Sequence, residues 1–345
     1  MRRVMHKKRS QMFNRQGFTL IEVLIAMVMS TIVAGGVFLA YRTQQESYVT
    51  QEQVAAMQQN LKAAMFYMGR EIRMAGYDTA IAGTFGIQTA APNSITFTCD
   101  VTGGESDGRD NDMDGITDED TNGIDDDGDG TVDTGLEADE FEFGDGLAND
   151  PNETITYSLF DIDNDGDMDL RRQDAAVPPA NAALPEEEFV AENVEALGLA
   201  YAFDANNDGL LDTYDAVNAP AGSPRERTIW AIDADGDNDL ETNLDTDGDG
   251  DIDADDGPGT GGNGFIGGQM LMDFAGFAIA DVPVNRIKAV RVWLLARSAR
   301  QDTKIVERNT FVVGDQVITP DTDGDANNDH RRMRLLMTTA KCRNL

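Results

Sequence analysis

Arg15-Gln16-Gly17, followed at residues 18–41 by FTLIEVLIAMVMSTIVAGGVFLAY, decides how the rest of the chain is organised. The apolar run is 24 residues long and carries a single carboxylate, Glu22. As a helix it would extend about 36 Å, sufficient to cross a bilayer. The seventeen residues before it hold six bases (Arg2, Arg3, Lys7, Lys8, Arg9, Arg15) and no acid. Such a basic flank stays cytoplasmic, so the reading is a single pass with everything after Tyr41 on the far side. An ordinary secretory signal has a shorter apolar core and a small-residue cleavage site behind it, and no such site stands out here.

Charge sets the next limit. The 345 residues include 27 bases and 63 acids, a net of -36, and without the first seventeen residues 21 bases face 63 acids, a net of -42. Nucleic acid would be repelled by such a surface, whereas cations are attracted to it. Two cysteines, Cys99 and Cys342, and two histidines lack zinc-site spacing. In an exported chain the cysteines form either one disulfide or two free thiols in strands, and both readings stay open.

Beyond Tyr41 the chain turns polar but stays helix-forming. Val54, Met57, Leu61, Met65, Met68, Ile72 and Ala75 recur at spacings of three and four, one stripe of a helix laid on a sheet. Glycines from Gly76 onward end it. Strand patterns follow at Ser94–Thr98, Thr154–Phe160, Glu195–Phe203 (Leu197, Leu199, Tyr201 and Phe203 on one face) and Arg286–Ser298, the most apolar and the expected central strand. Thr310–Val313 is expected to pair with that central strand, and Arg332–Thr339 to turn Met333, Leu335 and Met337 to one face. Strands after one long helix predict an α+β fold: a long N-terminal helix, membrane-spanning in its first half, packed on an antiparallel β-rich domain.

The RQG-FTLIE junction resembles the type IV pilin and pseudopilin family. That resemblance implies a leader peptide, residues 1–17, cut at the Gly17–Phe18 bond by a prepilin peptidase, with Phe18 then N-methylated. Starts at Met1, Met5 or Met12 would all give the same mature chain. A carboxylate inside an apolar helix needs a partner. The resemblance supplies one for Glu22, the new α-amino group of Phe18 on a neighbouring subunit. Residues 18–41 would then form the membrane and filament-core helix, 42–76 an amphipathic continuation, and 77–345 the head. RxxRMAGY at the helix end, NVEALGLAYAFD (193–204), VRVWLLARS (290–298) and RRMRLLMTTAKCRNL (331–345) are similar to PilW-type minor pilins. The implied partners are other minor and major pilins, and the implied location is the inner membrane and then the pilus at the cell surface. J-type pseudopilins of type II secretion are the related alternative.

Within the head one spacing repeats, D-x-[DN]-x-D-G-x-x-D. It occurs at Asp110-Asp112-Asp114-Asp118, Asp125-Asp127-Asp129-Asp133, Asp161-Asp163-Asp165-Asp169, Asp204-Asn206-Asp208-Asp212 and Asp245-Asp247-Asp249-Asp253. Oxygens at places one, three and five converge on a cation, glycine at six permits the turn, and the ninth-place acid reaches back. Many hard oxygens favour Ca2+, held in several sites. The eighth residue is apolar in four copies (Val132, Met168, Leu211, Ile252) and anchors the loop, which a solvated linker has no need to do. Asp215 and Asp256 are the only twelfth-place carboxylates; lacking the EF-hand glutamate, the loops resemble thrombospondin type 3 or dockerin repeats and should bind at about 10⁻⁴–10⁻³ M. Two copies starting at Asp233 and Asp321 read as degenerate, with Asn238 and Ala326 in place of the glycine. The pairs 110–133 and 233–253 are expected to share ligands, and calcium to order the insertions near 100–150 and 233–264.

No nucleophile-base pair, phosphate loop or cofactor fingerprint stands out, so an enzyme is not expected. A calcium-dependent adhesin displayed on a pilus is the reading from a different class.

Overall fold

The computed structural model describes residues 18–78, 85–101, 148, 152–162, 167–174, 187–256, 264–266, 268–302, 307–319 and 330–345. The chain divides into two compact units, Met1–Glu52 and Gln53–Leu345.

Helix α1 runs from Leu20 to Ile72. Among the described residues it is the one helix long and apolar enough to cross a membrane, and its apolar side chains from Leu20 to Leu39 are exposed. Thr31 and Thr43 donate their hydroxyls to the carbonyls of Met27 and Leu39, at 2.8 and 3.1 Å, so neither donor is left open in an apolar setting. Within the second unit Met57, Leu61, Met65, Met68 and Ile72 are buried with Ala64, as their spacing requires. Val54, at the start of that stripe, is half-buried.

Among the described residues eighteen strands follow, all paired antiparallel where they pair. β1 (Ile87–Ala91), β2 (Ser94–Thr98), β3 (Thr154–Phe160), β4 (Asp169–Asp174) and β5 (Glu187–Ala191) form a five-stranded meander in chain order. Next come β6 (Val194–Phe203), β7 (Thr213–Asp215), β8 (Glu226–Thr228), β9 (Ala231–Ile232), β10 (Asp239–Leu240), β11 (Thr242–Asn243), β12 (Gly264–Phe265) and β13 (Gln269–Met270). The last are β14 (Val282–Pro283), β15 (Ile287–Arg297), β16 (Phe311–Val313), β17 (Gln316–Ile318) and β18 (Met333–Lys341). The main sheet has the order β13-β11-β9-β6-β15-β18.

Both faces of that sheet are covered. Leu197, Leu199, Tyr201 and Phe203 of β6 meet α1 and the meander in one core, together with Val290, Val292 and Leu294 of β15. The opposite face buries Ala196, Ala200, Ala202, Trp293 and Leu295 under Trp230, Leu244, Val313 and Val317. This explains why β15, flanked by β6 and β18, is the most apolar strand: a strand buried on two faces has no polar side to offer.

One expectation is corrected. β16 pairs with β17, not with β15, because Gly314 and Asp315 close a tight hairpin between them. In β18, Met333, Leu335 and Met337 lie opposite Arg297, Leu295 and Trp293 and so share one face, as expected; Met333 and Leu335 reach the second core, and Met337 is 54% exposed at the sheet's outer edge. The β16–β17 hairpin lies across Gly198: a Cβ there would stand 2.4 Å from the Val313 carbonyl carbon and 2.5 Å from the Gly314 nitrogen.

A buried ion pair ties the helix to the meander. Glu71, 8% exposed, accepts from Arg172 Nε at 3.1 Å and from Tyr157 Oη at 2.5 Å. Arg172 also donates to Asn152 Oδ1 at 2.7 Å. Burial, with the Glu71 charge beside it, pushes the Tyr157 hydroxyl far above its ordinary range. Glu71→Ala leaves Arg172 buried without its partner and should cost about 3 kcal/mol, and Gly198→Ala about 2 kcal/mol by overpacking. An unchanged melting temperature for either variant of the full chain in detergent would contradict the packing described here.

Candidate functional site

The described part of the N-terminal motif begins at Phe18, 87% exposed; Gly17 lies outside the described residues. Thr19 donates both its amide and its hydroxyl to Glu22 Oε2, each at 2.8 Å, and the Glu22 amide donates back to Thr19 Oγ1 at 3.3 Å. This reciprocal cap satisfies orphan donors of the helix start and fixes the Glu22 carboxylate there, within a turn of Phe18. The sequence reading missed Thr19, although T-x-x-E at 19–22 is the signal for such a cap.

Three acidic loops are described in full, and they wrap alike. The first-place carboxylates are buried: Asp204 is 1% exposed, Asp233 2% and Asp245 4%. Each accepts backbone amides across the turn. Asp204 takes those of Asp208 and Gly209 at 3.0 and 2.8 Å, and Asp233 those of Gly236 and Asn238 at 2.6 and 2.9 Å. Asp245 takes those of Gly248 and Gly250, both at 2.7 Å. Third-place side chains accept the fifth-place amide: Asn206 from Asp208 at 2.9 Å, Asp235 from Asp237 at 3.2 Å and Asp247 from Asp249 at 3.0 Å. The sixth residue is left-handed in all three, with φ of 86° at Gly209, 70° at Asn238 and 96° at Gly250. Asparagine tolerates that conformation, so the copy that reads as degenerate is an intact loop.

The loops at 204 and 233 also bridge strand ends. The amide of Asp212 donates to the Phe203 carbonyl at 2.9 Å, and that of Glu241 to Ile232 at 3.4 Å. In the partly described loop at 161–169, Asp169 pairs with Phe160 across the β3–β4 ladder. The ninth-place carboxylate returns to the second amide: Asp212 to Ala205 at 2.6 Å, Glu241 to Ala234 at 2.6 Å and Asp169 to Ile162 at 3.3 Å. The eighth residue anchors the loop at Leu240, fully buried, and at Leu211 and Ile252, packed on the second core. Met168 is 50% exposed and anchors nothing.

Among the described residues two groups bring carboxylate oxygens within 4.8 Å of one another: Asp233, Asp235 and Glu241, and Asp245, Asp247 and Asp256. Several expectations change with them. Asp253 turns to the Asp255 amide at 2.8 Å, and Asp256 takes its place by accepting the Thr246 amide at 2.5 Å. Asp215 sits on β7 and pairs with Arg225 at 2.5 Å, outside its loop. The 233 and 245 loops do not share these ligand groups, because β11 between them is paired to β9 in the sheet. The copies at Asp110–Asp133, together with Asp163, Asp165 and the Asp321 copy, lie outside the described residues.

The charge balance differs between loops. Burial raises the Asp204 carboxyl, but the amides of Gly209, Asp208 and Asn207 and the charge of Lys288 hold it below the usual range. Burial pushes Asp245 up to about 6, with the Asp256 and Asp247 charges adding to it against the amides of Gly248 and Gly250. Glu241 is raised by burial and by the charges of Asp233 and Asp235, opposed by the Ala234 amide. One Glu241 oxygen, Oε2, is buried with no hydrogen-bond partner. Tyr214 of β7 donates to Asp245, and Asn218 takes the Gly248 carbonyl at 2.9 Å through its amide, so the β7–β8 hairpin grips the 245 loop.

The disulfide is not formed. Cys99 and Cys342 are both free and buried, in separate surroundings: Cys99 Sγ lies 3.4 Å from the Asn152 carbonyl, while the Cys342 amide donates to Lys288 at 2.9 Å. Burial pushes each thiol up to about 12, and the Glu153 and Glu71 charges add to this at Cys99.

A family model described as the prokaryotic N-terminal methylation motif matches residues 12–38. The chain therefore carries a prepilin-type N-terminal methylation motif on an α+β fold. Among solved structures, a type IV-like pilin from Thermus thermophilus is similar at 13% identity, over 83% of this chain and 96% of its own, with a TM-score of 0.33. No curated protein matches the chain.

A carboxyl raised in the folded state binds protons more tightly there than when unfolded, so its contribution to stability falls as pH rises through the folded value. With divalent cations chelated, the full chain in detergent should lose stability between pH 4.5 and 7. Asp245→Asn should remove about 2 kcal/mol of that loss. Parallel stability-pH curves for the two proteins would rule out a raised Asp245.

Proposed function

We propose that this chain is a subunit of a type IV pilin-like filament, a minor pilin of the PilW type with a calcium-stabilised head. The observation that carries the first part is the motif match over residues 12–38, with the Gly17–Phe18 junction inside it. The Thr19–Glu22 cap supports it, since it holds a carboxylate at the helix start where a new α-amino group would lie. On this reading the precursor sits in the inner membrane with its N-terminus in the cytoplasm. A prepilin peptidase removes residues 1–17 and Phe18 is methylated. The subunit then joins other minor and major pilins in a pilus at the cell surface.

Three features support calcium in the head. The loops wrap in the same register, the orphaned Glu241 oxygen belongs to an acidic group, and the Asp245 and Glu241 carboxyls are raised by burial and, after it, by like charge that a cation would offset. The residues proposed to hold it are Asp233, Asp235, Asp237 and Glu241 in one loop, and Asp245, Asp247, Asp249 and Asp256 in the next. Asp204, Asn206, Asp208 and Asp212 would hold a weaker site, because Lys288 already offsets Asp204.

Expressed with a prepilin peptidase, the chain should yield a product beginning at methylated Phe18 by mass spectrometry, and Gly17→Val should abolish it. Loss of the protein should reduce pilus number; normal piliation with secreted enzymes stranded in the periplasm would instead favour a type II secretion pseudopilin. For calcium, 10 mM added to chelated protein should raise the melting temperature by about 5 °C if several sites bind near 1 mM. The pair Asp233→Asn and Glu241→Gln should lose part of that rise. No rise at all would defeat the calcium reading and leave the filament reading standing.

A further inference from the structure

Among the described residues the edge strands of the two larger sheets are β1 and β5 in the meander and β13 and β18 in the main sheet, and of these β5 and β18 carry charged side chains. An open edge offers a row of amides and carbonyls to another chain. These two edges carry opposite charge. Residues 187–192, EEFVAE, hold three glutamates and no base, with Glu188 lying 3.6 Å from Arg172, whereas residues 331–343, RRMRLLMTTAKCR, hold five bases and no acid. That is five of the 21 bases left after Gly17 in a strongly acidic protein. Arg331 and Arg332 are engaged by Asp167 and Asp302, at 3.1 and 3.2 Å, while Arg334, Lys341 and Arg343 are exposed.

Charge decides which edges can meet. β18 against β18 brings arginines together and β5 against β5 brings glutamates together, and like charges across a strand pair are destabilising. β18 against β5 sets bases beside acids. We propose that copies of this chain associate head to tail, β18 of one copy pairing with β5 of the next. Such a contact uses different surfaces on the two copies and so repeats without having to close. Apolar groups complete it: Met337 is 54% exposed on β18. Phe189 on β5 (43% exposed) and Tyr67 on α1 (52% exposed) border a cleft of about 470 Å³ that Tyr157 and Arg172 also line. The pairing stands on the edges alone and does not require the filament reading.

The test is site-specific photocross-linking of the full chain in detergent, with benzoylphenylalanine in place of Met337. The expected product is a dimer whose cross-linked peptide contains residues 187–191. Arg334→Glu or Glu188→Arg alone should cut its yield at least fivefold, and the double charge swap Arg334→Glu with Glu188→Arg should restore it. Circular dichroism melts of each variant confirm that the head is folded. The proposal is overturned by absence of a dimer, by cross-links to β18 or to any segment other than β5, or by yields indifferent to the charge variants.

Discussion

The Glu71 carboxylate is the point on which the head's arrangement turns. A helix laid on a sheet by an apolar stripe alone can slide by a turn, since Met57, Leu61, Met65 and Met68 offer similar surfaces at similar spacing. An ion pair at 3.1 Å with Arg172, completed by Tyr157 and Asn152, has one register only. Any slip would strand a buried charge, which costs far more than a methionine moved along its groove. The same arginine fixes β4 within the meander, so helix position and strand position are set by one group.

With that frame in place, the acidic loops face a different problem. The copies at 161, 204 and 233 close a strand pair or strand end, where the backbone must reverse over few residues, and every fully described copy uses carboxylates to accept the amides that the turn exposes. Aspartate at the first place replaces the carbonyl partners those amides would otherwise lack. The solution concentrates negative charge: Asp245, Asp247 and Asp256 lie together, as do Asp233, Asp235 and Glu241. Hydrogen bonding therefore favours the loop and electrostatics oppose it. The balance differs by position: Lys288 stands near Asp204, whereas the charged groups that shift Glu241 and Asp245 are all carboxylates, opposed there by backbone amides alone.

Periodicity and apolar content made much of this legible in the sequence. The stripe of α1, the limits of β2 and β3 and the interior, two-faced burial of β15, one strand in from the sheet's edge, all follow from side chains that must be buried on known faces. Where a long-range partner decides, the sequence was silent. Glu71 reads as one more charge in a polar helix until Arg172, 101 residues on, is brought beneath it. Asp215 reads as a twelfth-place ligand until Arg225 takes it across the β7–β8 hairpin. Asn238 hid a complete loop, because the pattern demands glycine while the backbone demands only a left-handed residue. Nor could spacing choose Asp256 over Asp253; the turn after Ile252 does so, and it is not written in the repeat.

The 245 loop shows how closely these exposed turns are joined to the interior. Leu244, one residue before it, donates its amide to the Trp230 carbonyl at 3.1 Å, and Ile252 packs on the second core. On the same face, Arg291 lies 4.0 Å above the Trp230 ring and 5.7 Å from that of Trp293. Burial pulls the Arg291 guanidinium down to about 10, against the opposing charge of Asp251 in the loop. A buried cation stacked on aromatic rings is sensitive to the charges around it, since little water screens them. Loop, arginine and both tryptophans thus form one electrostatic unit. A change in the loop's net charge must be felt at Arg291, and the only two tryptophans in the chain stand against that residue.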